Sequence, residues 1–144
     1  MPNLNVSQVE VNNTTYDICD ATARDDITAM APVVLFDDDS ATVGNTVTLL
    51  ETAANFTRLT IYGKTNDGDY CSVDVWHPNG KNVLLSGALP SSTTATYLKA
   101  RKISIDGTTI ATSSNTGTNQ VTLKTSLTLQ SGDYIAITQV IGYR

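Results

Sequence analysis

Charge, histidine, cysteine and long apolar runs are all scarce in this chain. Charged residues make up 16% of its 144 positions, against roughly a quarter in ordinary soluble domains. Its surface must therefore be largely neutral and polar, built from Thr, Ser and Asn. Nine Lys and Arg against 14 Asp and Glu leave a net charge of -5. With no basic cluster, the electrostatic attraction behind nucleic-acid and anionic-membrane binding is missing, and neither is an expected partner. No apolar run approaches the ~20 residues of a membrane span. Met1-Pro2-Asn3-Leu4 has neither the basic start nor the apolar stretch of a signal peptide. The expectation is a protein made and kept in the cytoplasm, or leaving it only by lysis.

The same scarcity limits chemistry. One histidine, His77, stands before Pro78 in a His-Pro-Asn-Gly turn, a surface setting that completes no nucleophile and base pair. One histidine and two distant cysteines match no zinc spacing. No glycine-rich phosphate loop occurs, so no cofactor is expected and the chain does not read as an enzyme. Cys19 and Cys71 fall in different structural units and read as small buried hydrophobes rather than a disulfide. Asp37, Asp38 and Asp39 form the main acidic cluster, with Asp67 and Asp69 a looser pair. The triplet is a weak calcium candidate, because the Asp-x-Asp-x-Asp-Gly loop with its distal Glu is absent. A solvated turn is the plainer reading.

What is present is a β pattern in two parts, residues 1–31 and 32–144. In the first, Val6, Val9 and Val11, then Asn12-Asn13, then Tyr16 and Ile18 predict a hairpin. The two asparagines tolerate the left-handed backbone of a tight turn. Asp20 is placed to cap a short helix over residues 20–30, which Pro32 stops. A hairpin with one helix is too small to hold its own core. Val6, Val9, Val11, Tyr16 and Ile18 therefore need a partner surface, and they are the candidate attachment residues.

Beyond Pro32, short β-branched runs alternate with turn signals about every ten residues. Runs are expected at residues 33–36, 46–50, 58–62 (ending at Gly63), 70–76, 82–86, 94–105, 108–112, 120–123 and 133–141, with loops at 87–92 and 113–118. This predicts an all-β fold, an antiparallel β-sandwich or jelly roll. Alternation puts Cys71, Val73 and Val75 on one face of their strand and Tyr70, Ser72, Asp74 and Trp76 on the other. It likewise groups Arg101 with Ile103 and Ile105, and Gln139 with Ile135 and Ile137. The aromatics Tyr62, Tyr70, Trp76, Tyr97, Tyr134 and Tyr143 have flat apolar faces with polar edges, suited to a sugar or a partner. Among them Trp76, Tyr70 and Tyr97 are the ligand or interface candidates. A charge-poor surface with outward aromatics suits symmetric packing, and a homotrimer is expected.

The segment Val9-Glu10-Val11-Asn12-Asn13-Thr14-Thr15-Tyr16-Asp17-Ile18-Cys19-Asp20-Ala21-Thr22-Ala23-Arg24 resembles one found in tail and other virion proteins of phages infecting Gram-positive bacteria. In those proteins Gly often stands where this chain has Asn13. The ending Gly142-Tyr143-Arg144 is similar to the last strand of β-sandwich domains in the same proteins. The resemblance implies a small tail-fibre, baseplate, spike or head-fibre protein, often trimeric. Its N-terminus would join other virion proteins, and its sandwich would face the host, with surface glycan as an outer ligand. The other reading of the same residues is a carbohydrate-binding or glycan-degrading β-sandwich domain, monomeric and carrying Trp76 on a concave face.

Overall fold

A computed structural model describes residues 8–17, 27, 30–92, 95–113, 119–123, 127–131 and 134–144. The chain divides into two compact units, Met1–Ala31 and Pro32–Arg144. In the first, β1 (Gln8–Val11) and β2 (Thr14–Asp17) form an antiparallel hairpin with Val9 opposite Tyr16. Asn12 and Asn13 carry the turn at φ 53° and 61°. Two successive left-handed residues give the turn whose twist matches that of the flanking strands, which is why Asn serves here. Val11 is exposed. Val6, Ile18 and most of the expected helix lie outside the described residues; of that helix only Ile27 and Met30 are described, both exposed.

The second unit is all β. One antiparallel sheet runs in the order β3 (Val33–Asp37), β12 (Ile135–Tyr143), β5 (Arg58–Thr65), β6 (Tyr70–Trp76). The other is built on the long β8 (Ala95–Asp106). One edge of β8 pairs with β7 (Lys81–Ser92) from Ile105 back to Ala95. Its other edge is shared. β10 (Asn119–Leu123) pairs with residues 96–100 and continues to β11 (Leu127–Ser131). Beside them, β9 (Thr109–Thr112) pairs with residues 103–106 and continues to β4 (Val47–Thr48).

The inward rows of the two sheets meet in one apolar core. Leu35, Leu59, Ile61, Val75, Ile135, Ile137 and Val140 come from the first sheet. Val47, Leu85, Ile103, Ile105 and Ile110 come from the second. Phe56 closes one end from the segment after a short 3-10 turn, Ala53–Asn55. A Cβ on Gly142 would lie 2.5 Å from the Phe56 ring, so the glycine near the C-terminus is where that ring seats.

Four details depart from the sequence expectations. Gly63 does not end β5; the strand runs through it to Thr65, because the glycine serves a close approach. A Cβ there would meet Leu85 at 2.7 Å and Ile135 at 2.8 Å. Residues 87–92 are not a loop but the second half of β7, held by pairing with β8. β11 was not expected, since Leu127–Ser131 is short and mostly polar. Gln139 does not share a face with Ile135 and Ile137. The β5–β12 register shifts between Ile137 and Gln139, and this bulge at Thr138 turns Val140 and Gly142 inward and Gln139 outward.

Candidate functional site

The bulge decides which side chains share the outer face of the first sheet. Beyond it, Gln139 lies opposite Asp37 of β3 on one side and Tyr62 of β5 on the other, and Tyr62 lies opposite Ser72 of β6. Directly paired residues point to the same face. Asp37, Gln139, Tyr62 and Ser72 therefore form one transverse row. Next to it, Asp37, Asp39, Tyr62, Tyr70, Thr138 and Gln139 line an open depression of about 240 Å³.

The three carboxylates of the Asp triplet go separate ways. Asp38 accepts from the backbone N–H and the hydroxyl of Ser40, closing an Asx turn. Asp39 accepts from the Tyr70 hydroxyl at 3.0 Å and lies 3.6 Å from Lys64 Nζ. The nearby Asp39 charge, helped by contact with Tyr70, holds the Lys64 ammonium above its ordinary pKa. Asp37 is left facing the depression. Among the described residues no group of three or more His, Cys, Asp or Glu is placed to hold a metal ion. The carboxylates of Asp37, Asp38 and Asp39, considered for calcium, do not form such a group.

The other candidates are spread out. Tyr70 and Trp76 both sit on the outer face of β6, 64% and 63% exposed, but at its two ends, roughly 20 Å apart at strand rise. At the Trp76 end, the Arg58 guanidinium lies 4.0 Å from the Tyr143 ring centre and 5.6 Å from that of Trp76. Arg58, on the strand between them, thus links the two rings through its guanidinium. Between the two ends, Thr60 donates to Asp74 at 2.5 Å. Tyr97 belongs to β8 in the other sheet and is half-buried, so it does not join Tyr70 and Trp76. Val9 and Tyr16 pair within the N-terminal hairpin. His77 is exposed at φ 48°, beside a second depression lined by Ala53, Ala54, Phe56, Pro78 and Asn79, with no acidic group among them.

Sequence reasoning grouped Arg101 with Ile103 and Ile105 but missed Lys99 and the partners that both cations meet in the interior. Lys99 and Arg101 project inward from β8 and are 2% and 0% exposed. Lys99 donates to Asn66 at 2.5 Å and pairs with Asp67, in the turn between β5 and β6. Arg101 donates to the Asn45 side chain at 3.1 Å and its backbone carbonyl at 2.5 Å. It also reaches the Ile135 carbonyl at 3.0 Å and the Thr112 hydroxyl at 3.1 Å. Asn45 in turn exchanges hydrogen bonds with Ile137, accepting from its N–H at 2.8 Å and donating to its carbonyl at 2.9 Å. β3 pairs with β12 only from Gln139 onward. Before that point Asn45, with Gly44 N–H to Ile135 and Asp38 N–H to Thr138, completes the β12 edge. The segment bearing Asp37 and Asp39 is thereby anchored at both ends.

No protein-family model matches the chain, and no curated protein matches it. Among the described residues no helix is long and apolar enough to cross a membrane.

Proposed function

We propose that this chain is a non-enzymatic structural module of a bacteriophage particle of the tail-fibre, baseplate or head-fibre kind. In this reading the Met1–Ala31 unit joins other virion proteins. The Pro32–Arg144 unit is a β-sandwich displayed as a homotrimer, with host-surface glycan as its outer ligand. The virion is its destination, after assembly in the host cytoplasm and lysis. The observation that carries the reading is the division of the chain at Pro32, with a β1–β2 hairpin paired as a separate two-stranded sheet. Such a hairpin is marginal by itself in water. Burying five side chains of the Val6, Val9, Val11, Tyr16 and Ile18 kind contributes on the order of 8–12 kcal/mol before ordering costs, enough to dock it on a neighbour.

The sandwich is also the finer reading of the two sheets around one core. A jelly-roll relationship rests on β3, the first strand of this unit, lying beside β12, the last, with β5 next in order. The experiment is a chain beginning at Ala31. It should fold and keep the trimeric mass in light scattering, yet fail to enter particles assembled in infected cells. Incorporation at the level of the full chain, or a monomeric full chain at micromolar concentration, contradicts the proposal.

A further inference from the structure

The chemistry of the depression on the first sheet narrows the outer ligand, and the argument rests on the display role above. Among the described residues, the Asp37 carboxylate, the Tyr62 hydroxyl and the Gln139 amide make no side-chain hydrogen bond, although all line the same space. Their neighbours are engaged. Asp39 is held by Tyr70 and Lys64, and Asp74 by Thr60. A surface that leaves a carboxylate, a phenol and an amide open side by side offers two or more acceptors, matching donors and a flat ring. That is the set which binds vicinal hydroxyls and the apolar face of a pyranose.

Charge and size choose among ligands. Asp37 and Asp39 against Lys64 leave the rim net negative, which disfavours phosphate-bearing or carboxylate-bearing groups. A volume of about 240 Å³ is below the roughly 300–1,000 Å³ of drug-sized sites, and suits a single ring. Two rows farther along the sheet, the Arg58-stacked Tyr143 and the exposed Trp76 offer a second flat platform on the same face. It lies roughly 13 Å from Tyr62 at strand rise.

We infer that the outer face of the β3–β12–β5–β6 sheet binds an uncharged saccharide. One ring sits in the depression, where Asp37 accepts from its hydroxyls and Gln139 and Tyr62 complete the hydrogen bonds. A longer chain extends across Thr60 towards Trp76. The full-length protein, labelled with ¹⁵N, is titrated with the methyl glycosides of glucose, galactose, rhamnose and N-acetylglucosamine and with maltotriose and chitotriose. Glycerol phosphate and calcium chloride serve as counter-probes.

At least one neutral saccharide should shift the amides of Asp37, Tyr62 and Gln139 in a saturable way, with the trisaccharide also shifting Trp76. Asp37→Ala and Gln139→Ala should each weaken that binding by about tenfold or more, while the circular dichroism and the oligomeric mass stay the same. Tyr62→Phe, which keeps the ring, should lose less. The inference is overturned if none of these saccharides shifts those amides, if the shifts lie elsewhere, or if calcium alone reproduces them. Equal binding of glycerol phosphate also overturns it. Particle incorporation of Asp37→Ala separates the two claims. A variant that enters virions normally but binds no sugar leaves both standing. A chain that binds sugar but never enters virions removes only the virion reading.

Discussion

Lys99 and Arg101 occupy the same inward row of β8 as Ile103 and Ile105, and all four are at most 2% exposed, yet the two pairs are held by different physics. The isoleucines join Leu35, Leu59, Val47 and Ile110 in the apolar core, where burial of hydrocarbon stabilises without regard to direction. The cations face acceptors that must be aimed: Asn45, Thr112 and the Ile135 carbonyl for Arg101, and Asn66 with Asp67 for Lys99. One half of the strand is thus secured by packing and the other by loops brought to it. The loop that satisfies Arg101 follows directly from Asp37 and Asp39, so the polar half of the interior also positions the candidate binding face.

The largest loss is expected from Arg101→Ala. It takes one donor each from the Asn45 side chain, which keeps Ile137 N–H, and the Ile135 carbonyl, which keeps Gly44 N–H, removes the Arg101 donor to the Asn45 carbonyl, and opens a void, so unfolding in urea should lose about 2–5 kcal/mol. Ile105→Val, in the apolar half, should lose only about 0.5–1.5 kcal/mol. If the two losses are equal, directed hydrogen bonding does not distinguish the halves. Next in size is Gly142→Ala, whose new methyl would press on Phe56 and Leu35 at 2.5 and 2.9 Å. A loss of about 1–3 kcal/mol is expected from overpacking. Adding Phe56→Leu should recover part of it, since neighbours sharing one space are not additive. Additive losses in that double variant would show that the glycine matters for another reason.

The apolar half was the legible one. Alternation alone set Val75 on the face opposite Trp76 and grouped Ile103 with Ile105, because a period of two needs only the sequence, and these three isoleucine and valine side chains are buried while Trp76 is exposed. It also grouped Arg101 with those isoleucines, but a lone strand says nothing of the acceptors that a distant loop supplies. Asn45 reaches Ile137 across 92 positions of chain, with no local signal in the sequence. The candidate site was hidden for a related reason. Asp37 and Tyr70 were visible as an acidic run and an outward aromatic, but Gln139 was assigned to the wrong face. A bulge shifts parity without leaving a mark such as Gly or Pro, and here it occurs at Thr138. The glycines misled in the opposite direction, since Gly63 and Gly87 read as breaks and lie within paired strands.

Within the polar half, Lys99 sharpens the distinction between an aimed and a solvated partner. Its Asp67 carboxylate is 53% exposed and can rehydrate, so Lys99→Met, which keeps the hydrocarbon stem, should change stability by about 1 kcal/mol or less. A loss as large as that of Arg101→Ala would place the two cations in one class.

The smallest effect concerns Cys71, on the border of the apolar core beside Val73. Burial raises its thiol pKa, and the nearby Gly63 backbone N–H only partly opposes this. In the unfolded chain the thiol ionises near the ordinary value of about 8.5, while the folded protein keeps its proton to higher pH. Between those two points the native state binds more protons than the unfolded state, so stability is intact below the ordinary value and declines as pH rises through the alkaline range. In a Cys19→Ser background, the alkaline decline should be shallower after Cys71→Ala. A thiol reagent should also modify Cys71 more slowly in the folded protein than in urea at the same pH. Equal rates in the two states, or the same alkaline slope in both variants, would show that burial does not hold this thiol protonated.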